Sequence, residues 1–153
     1  MEKSQAKGQS SLEYITLVAI TLVIIVPATY LFYNYSRDST QEISDAQLTR
    51  LGREIIDTSE KIFYSGIGSR TVMQINLPEG VTSGVILDGK ELVFNITSQV
   101  GVSEVVFFSA VNITTDPTKC TENVCTIPLF YSSGLKKIKI EAVSKDSVRI
   151  DPV

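Results

Sequence analysis

The stretch KGQSSLEYITLVAITLVIIVPATYLF, Lys7 to Phe32, decides the reading of this 153-residue chain. From Tyr14 to Tyr33 no residue is charged. That run is about 20 residues, the length an α-helix needs to cross ~30 Å of hydrocarbon. Thr16, Thr21 and Thr29 interrupt it with hydroxyls that can bond back to helix carbonyls. Pro27 lacks a backbone donor and would kink the helix, which membrane helices tolerate. Tyr30, Tyr33 and Tyr35 cluster at its far end, as aromatic side chains do at a membrane interface. One residue looks misplaced. Glu13 opens the run, although a carboxylate costs ~2.5–3.5 kcal/mol at the centre of a membrane helix and less near its end.

Lys3 and Lys7 precede the run, while Arg37 and Asp38 behind it offset each other. The positive-inside bias predicts a single-pass protein with its N-terminus in the cytoplasm and its C-terminal domain outside the cell. A cleaved secretory signal fits poorly, because the apolar stretch is too long and no A-x-A-like site follows it.

Composition narrows the chemistry. There is no His, and the formal net charge is −3. Without His the chain cannot build a Ser-His or Cys-His catalytic pair of its own. No metal cluster, phosphate-binding Gly loop or nucleophile motif appears, so no cofactor, no metal and no enzymatic activity are expected. The absence of a basic patch argues against nucleic-acid binding.

Lys7-Gly8-Gln9-Ser10-Ser11-Leu12-Glu13-Tyr14 resembles the class III signal peptide of archaeal type IV pilins. The resemblance implies cleavage by a prepilin peptidase between Gly8 and Gln9, with Lys7 as the basic residue before the cut. Glu13 then becomes the fifth residue of the mature chain, where this family carries a Glu. Archaellins share the peptidase but, as a family, lack this Gln-x-x-x-Glu pattern. The resemblance covers the first third of the chain. It implies the pilus assembly machinery and other pilin subunits as partners, with membrane lipid as the partner before assembly. It also implies a role for Glu13 in assembly, paired with the terminal amine of a neighbouring subunit. The expectation is a surface filament subunit, adhesive in some settings. The alternative is a single-pass anchored β-domain binding protein that carries the same signal and does not polymerise.

Beyond the apolar run, Ser39 with Glu42 and Ser44 with Gln47 form candidate capping boxes, marking a helix restart or bend. Leu48, Leu51, Ile55 and Ile62 then follow helical spacing, with Ala46, Ile56 and Phe63 nearby. Arg50, Arg53, Glu54, Asp57 and Lys61 lie opposite. Gly52 weakens this helix locally, and Ser65-Gly66 ends it.

From Ser69 the period changes to two. In TVMQINL, Met73, Ile75 and Leu77 share one face, and Val72, Gln74 and Asn76 the other. Asp88-Gly89 marks a hairpin turn in GVILDGKELVFNIT. EVVFFSAVNIT is apolar on both faces, as a central strand is. LKKIKIEAV sets Leu135, Ile138 and Ile140 against Lys137, Lys139 and Glu141, and SVRIDPV closes the chain. About six strands fit. The predicted class is α+β: a long N-terminal helix, membrane-spanning and then amphipathic, followed by a small antiparallel β-sandwich or sheet head. The boundaries read as leader 1–8, apolar helix 9–35, amphipathic helix 36–65 and β domain 66–153.

Cys120 and Cys125 close a short loop, and in an extracellular domain a disulfide is the default. Three N-x-S/T sequons begin at Asn34, Asn95 and Asn112. Asn34 lies too close to the membrane for easy glycan transfer. Asn95, opposite Leu92, Phe94 and Ile96, is expected to face solvent, and Asn112 stands at a strand end. The family resemblance makes Asn95 and Asn112 candidate glycosylation sites.

Overall fold

The computed structural model describes residues 3–98 and 101–153, with side chains at 12–36, 43–97 and 101–153. Helix α1 spans Lys3–Tyr64. The chain divides into two compact units, Met1–Glu42 and Ile43–Val153. The first unit is helical from Lys3. The second contains the rest of α1 and, among the described residues, nine strands: β1 Arg70–Leu77, β2 Val81–Leu87, β3 Glu91–Ser98, β4 Gly101–Phe108, β5 Asn112–Thr114, β6 Cys120–Thr121, β7 Val124–Thr126, β8 Gly134–Ala142 and β9 Ser147–Pro152.

These strands form a four-stranded sheet, β1-β8-β9-β5, and a five-stranded sheet, β4-β3-β2-β7-β6. Pairings are antiparallel, apart from the short parallel pair β5 and β9. The class is therefore α+β with a two-sheet head, as the change of period predicts. The extra strands are the two- and three-residue pieces β5, β6 and β7, too short for alternation to show.

One core joins the sheets to α1. Leu48, Leu51, Ile55 and Ile56 are buried with Ile75, Ile138, Ile140 and Ile150 of one sheet and Ile86, Leu92, Phe94 and Phe107 of the other. The helical stripe is the one its spacing predicts, with Ile62 and Phe63 packed at its margin. Arg50, Arg53, Glu54, Asp57 and Lys61 are exposed opposite, while Ala46 is exposed rather than part of the stripe. Gly52 has a packing role: a Cβ there would lie 2.3 Å from Phe107 Cε2. The helix needs this residue so that it can approach β4. The helix ends as predicted, with Gly66 at φ +96° and its N–H donating to the Phe63 carbonyl at 3.1 Å. The restart expected at Ser39 or Ser44 does not occur, since residues 37–45 are helical throughout. Capping residues inside a helix can point outward or back to the preceding turn without ending it.

In β1, Ile75 and Leu77 are buried with Met73 half-buried, and Val72, Gln74 and Asn76 are exposed, as expected. The β2–β3 hairpin turns at Asp88-Gly89, with φ +51° and +66°. Lys90 N–H closes it on the Leu87 carbonyl at 3.0 Å. Positive φ at both central residues is the signature of a type I′ turn.

Two expectations are corrected. EVVFFSAVNIT is not one central strand. It splits at Ser109–Val111 into β4 and β5, which are edge strands of different sheets. The crossing is held by Ser109 N–H donating to the Lys90 carbonyl at 2.8 Å, and Ile113 N–H to the Gly89 carbonyl at 2.7 Å. Glu60 of α1 accepts the Ala110 N–H at 3.0 Å. The apolar residues on both faces reflect an edge strand whose inner face meets the core and whose outer face stays open. Phe107 is core, but Phe108 is 72% exposed. Leu135 is likewise 66% exposed, on the face of Lys137 rather than of Ile138. In β8 the inward residues are 136, 138, 140 and 142, so Leu135 has the wrong parity.

Candidate functional site

The first candidate site is the apolar part of α1. Leu12–Ser36, 25 residues, is long and apolar enough to cross a membrane. Every residue in it is exposed within the chain itself. Its threonines behave as predicted: the hydroxyls of Thr16, Thr21 and Thr29 each donate to the carbonyl four residues back at 2.8 Å. This internal bonding removes three hydroxyls from the demand for water, which suits an apolar surround. The helix assignment continues across Pro27. Glu13 is exposed at the start of the stretch, and Tyr30, Tyr33 and Tyr35 are exposed at its end. Between Gly8 and Ser36, Glu13 is the one charged residue. Lys7, Gly8 and Gln9, the expected processing residues, lie outside the residues whose side chains are described.

The sequons differ in setting. Asn95 lies on the outer face of β3, but it is half-buried and its Nδ2 donates to Ser83 Oγ at 2.9 Å. Asn112 opens the edge strand β5 and is exposed. Cys120 and Cys125 are joined by a disulfide, across the paired strands β6 and β7.

The head has two unlike outer faces. On the four-stranded sheet, Lys139 Nζ lies 3.0 Å from Glu141 Oε2, which also faces Arg149 Nη2 at 3.9 Å. Arg149 Nε stands 2.8 Å from Asp151 Oδ2, an ionic contact rather than a directed hydrogen bond. Glu141 is held below the usual 4.5 by the hydrogen bond from Lys139, then by the charges of Lys139, Arg149 and Arg70. On the five-stranded sheet, register places Phe108, Val106 and Val102 of β4 along one outer row, with Val106 beside Val93. All three are exposed.

Sequence reasoning missed one feature. A recess of 560 Å³ opens where the β5–β6 connection, the 3-10 turn Pro128–Tyr131 and β9 meet. Asp116, Lys119, Arg149 and Asp151 contribute its charged groups. Asp116 caps the 3-10 turn Pro117–Lys119, accepting from Thr118 N–H and Thr118 Oγ1, both at 3.0 Å. These bonds, the backbone one first, hold its carboxyl below the usual 3.8. Asp116-Pro117-Thr118 reads locally as a loop carrying an acid, and nothing local signals its convergence with Arg149 and Asp151. No spacing rule links residues more than thirty positions apart.

No protein-family model, curated protein or solved structure matches the chain.

Proposed function

We propose that this chain is an archaeal type IV pilin-like subunit. It is cut by a prepilin peptidase after Gly8 and assembled into a surface filament through its apolar helix, with the β domain outside the cell. The observation that carries the reading is the exposed apolar helix Leu12–Ser36 with one carboxylate, Glu13, at its start. Each exposed Leu, Ile or Phe side chain forgoes about 1.5–3 kcal/mol of burial. A surface of that kind requires cover. Lipid supplies it before assembly, and the same helix of other copies supplies it in a filament. Water is excluded from such helix packing, so a carboxylate persists there only when paired or hydrogen-bonded. The new N-terminus at Gln9 is the partner that the family resemblance implies for Glu13. Gln9 can cyclise to pyroglutamate, which has no charged amine. Glu13 would then act through hydrogen bonds, or in its protonated form.

The test is intact mass with N-terminal peptide mapping of the protein from native archaeal membranes, combined with imaging of Glu13→Ala cells. The expected chain begins at Gln9 or its cyclised form, and Glu13→Ala is processed normally but absent from filaments. A chain beginning at Met1 would overturn the reading. Filaments that form normally with Glu13→Ala would remove Glu13 from assembly. The second reading, an anchored binding protein that does not polymerise, is favoured by the charged recess of the head. It predicts correct processing with no filament containing this chain.

A further inference from the structure

We propose that the recess between the β5–β6 connection and β9 binds a neutral saccharide. The proposal rests on the reading of the β domain as an outward, ligand-facing part, and not on filament formation.

Three observations converge. First, the charges of the recess balance. Asp116 and Asp151 stand with Lys119 and Arg149. Such a set gives no net field to select a simple anion or cation, but it offers lone pairs and N–H donors side by side. A sugar hydroxyl donates and accepts at once, so vicinal hydroxyls satisfy both kinds of group.

Second, the charged groups are largely occupied by protein partners that leave atoms free. Asp116 Oδ1 takes both Thr118 donors, and Oδ2 accepts no hydrogen bond among the described residues. Arg149 is held by Asp151 and Glu141, and Asp151 also faces the buried Thr115 hydroxyl at 3.5 Å. Arg149 and Asp151, already paired, have less to gain from an ionic ligand than from hydroxyls. Pro128 and Pro152 add apolar walls for the C–H faces of a sugar ring.

Third, the walls are tied in place. Lys119 is followed directly by the Cys120–Cys125 disulfide, and its carbonyl accepts from Thr126 Oγ1 at 3.2 Å. A pre-organised wall loses less freedom on binding. The volume of 560 Å³ falls in the usual range for small-ligand sites, ~300–1,000 Å³.

The experiment uses the full chain in a detergent without a sugar headgroup. Saturation-transfer NMR is run with glucose, mannose, galactose and N-acetylglucosamine, and in parallel with glucuronate, inorganic phosphate and glycine. At least one neutral sugar is expected to bind. Lys119→Ala and Asp116→Asn are each expected to weaken it about tenfold, the scale of a hydrogen bond to a charged group. Asn retains the capping oxygen, so the turn is kept. Lys137→Ala, on the outer face of β8, should leave binding unchanged. The proposal is overturned by no neutral-sugar signal at about 100 mM, well past the weak millimolar range. It is equally overturned by binding that ignores both recess variants, or by a preference for glucuronate, phosphate or glycine. A negative result would leave the filament reading standing. Sugar binding by a chain that never enters filaments would separate the two in the other direction.

Discussion

Gly52 and Gly84 occupy positions where a single methyl group has nowhere to go. A Cβ on Gly52 meets the Phe107 ring at 2.3 Å, and one on Gly84 meets Phe130 Cδ2 at 2.4 Å and Cβ at 2.7 Å. Phe130 is fully buried, and Phe107 stacks edge-on against Phe94 with ring centroids 6.1 Å apart. Helix propensity alone says that Gly52→Ala adds about 1 kcal/mol of stability. The packing says the opposite. Both Gly→Ala variants are expected to lose about 1–3 kcal/mol, the usual cost of overpacking. Denaturant melts of the full chain in detergent check this, and an unchanged or raised midpoint for Gly52→Ala would show that Phe107 can yield. The same residue shows what sequence alone can miss. Gly52 reads as a weak point in a helix, and only the ring across from it turns that weakness into a close approach.

At the scale of elements, the β6–β7 hairpin is the least self-sufficient part of the head. Its strands have two and three residues, and Glu122 sits in its turn at φ +53°. The hairpin is held by the disulfide, by pairing of β7 with β2, and by Asp88 N–H donating to the Asn123 carbonyl at 2.9 Å. Replacing both Cys120 and Cys125 by Ser is expected to cost about 2 kcal/mol, the loop-entropy value for so short a loop. Comparing melts of the oxidised chain and the double variant measures it. Two carboxylates, Glu141 on the outer face of β8 and Asp116 in the β5–β6 connection, make a second prediction. Glu141 and Asp116 both have folded pKa values below their ordinary 4.5 and 3.8. A lowered pKa means that the unfolded chain binds more protons in this range. The stabilisation is thus complete above the ordinary values and is lost as pH falls through the lower folded ones. The denaturant midpoint should be flat from neutral to about pH 5 and decline below it. Glu141→Gln should make that decline shallower, and an unaltered slope would show that the Lys139–Glu141 contact contributes nothing.

For the whole molecule, the decisive property is the uncovered helix. Leu12–Ser36 has no side chain buried in the chain itself, whereas Leu48, Ile55 and Phe94 are wholly buried. The full chain is therefore expected to float with lipid vesicles in a density gradient. Ile20→Arg with Ile24→Arg should release it, since each Arg near the middle of a membrane helix costs ~2.5–3.5 kcal/mol on insertion scales. Flotation that survives the double substitution would place the membrane contact elsewhere.

Length, apolarity and the period of the hydrophobic residues are local properties, and the sequence by itself determined whatever depends on them. These are the apolar helix, its back-bonded threonines, the buried stripe of the amphipathic segment, the Gly66 end, the Asp88-Gly89 turn and the inward face of β1. Two cysteines five positions apart in a domain read as extracellular predict a disulfide, and it is present. Tertiary structure alone decided which strands lie at an edge, because an edge is defined by the absence of a neighbour and not by any residue pattern. For that reason an apolar run read as one central strand became β4 and β5 in two sheets, with Phe108 outside. Tertiary structure also decided the parity of Leu135, which depends on the pairing of β8 with β1 and β9. It alone brought Asp116 and Lys119 together with Arg149 and Asp151, because residues far apart in the chain become neighbours only when the sheets close over a shared core.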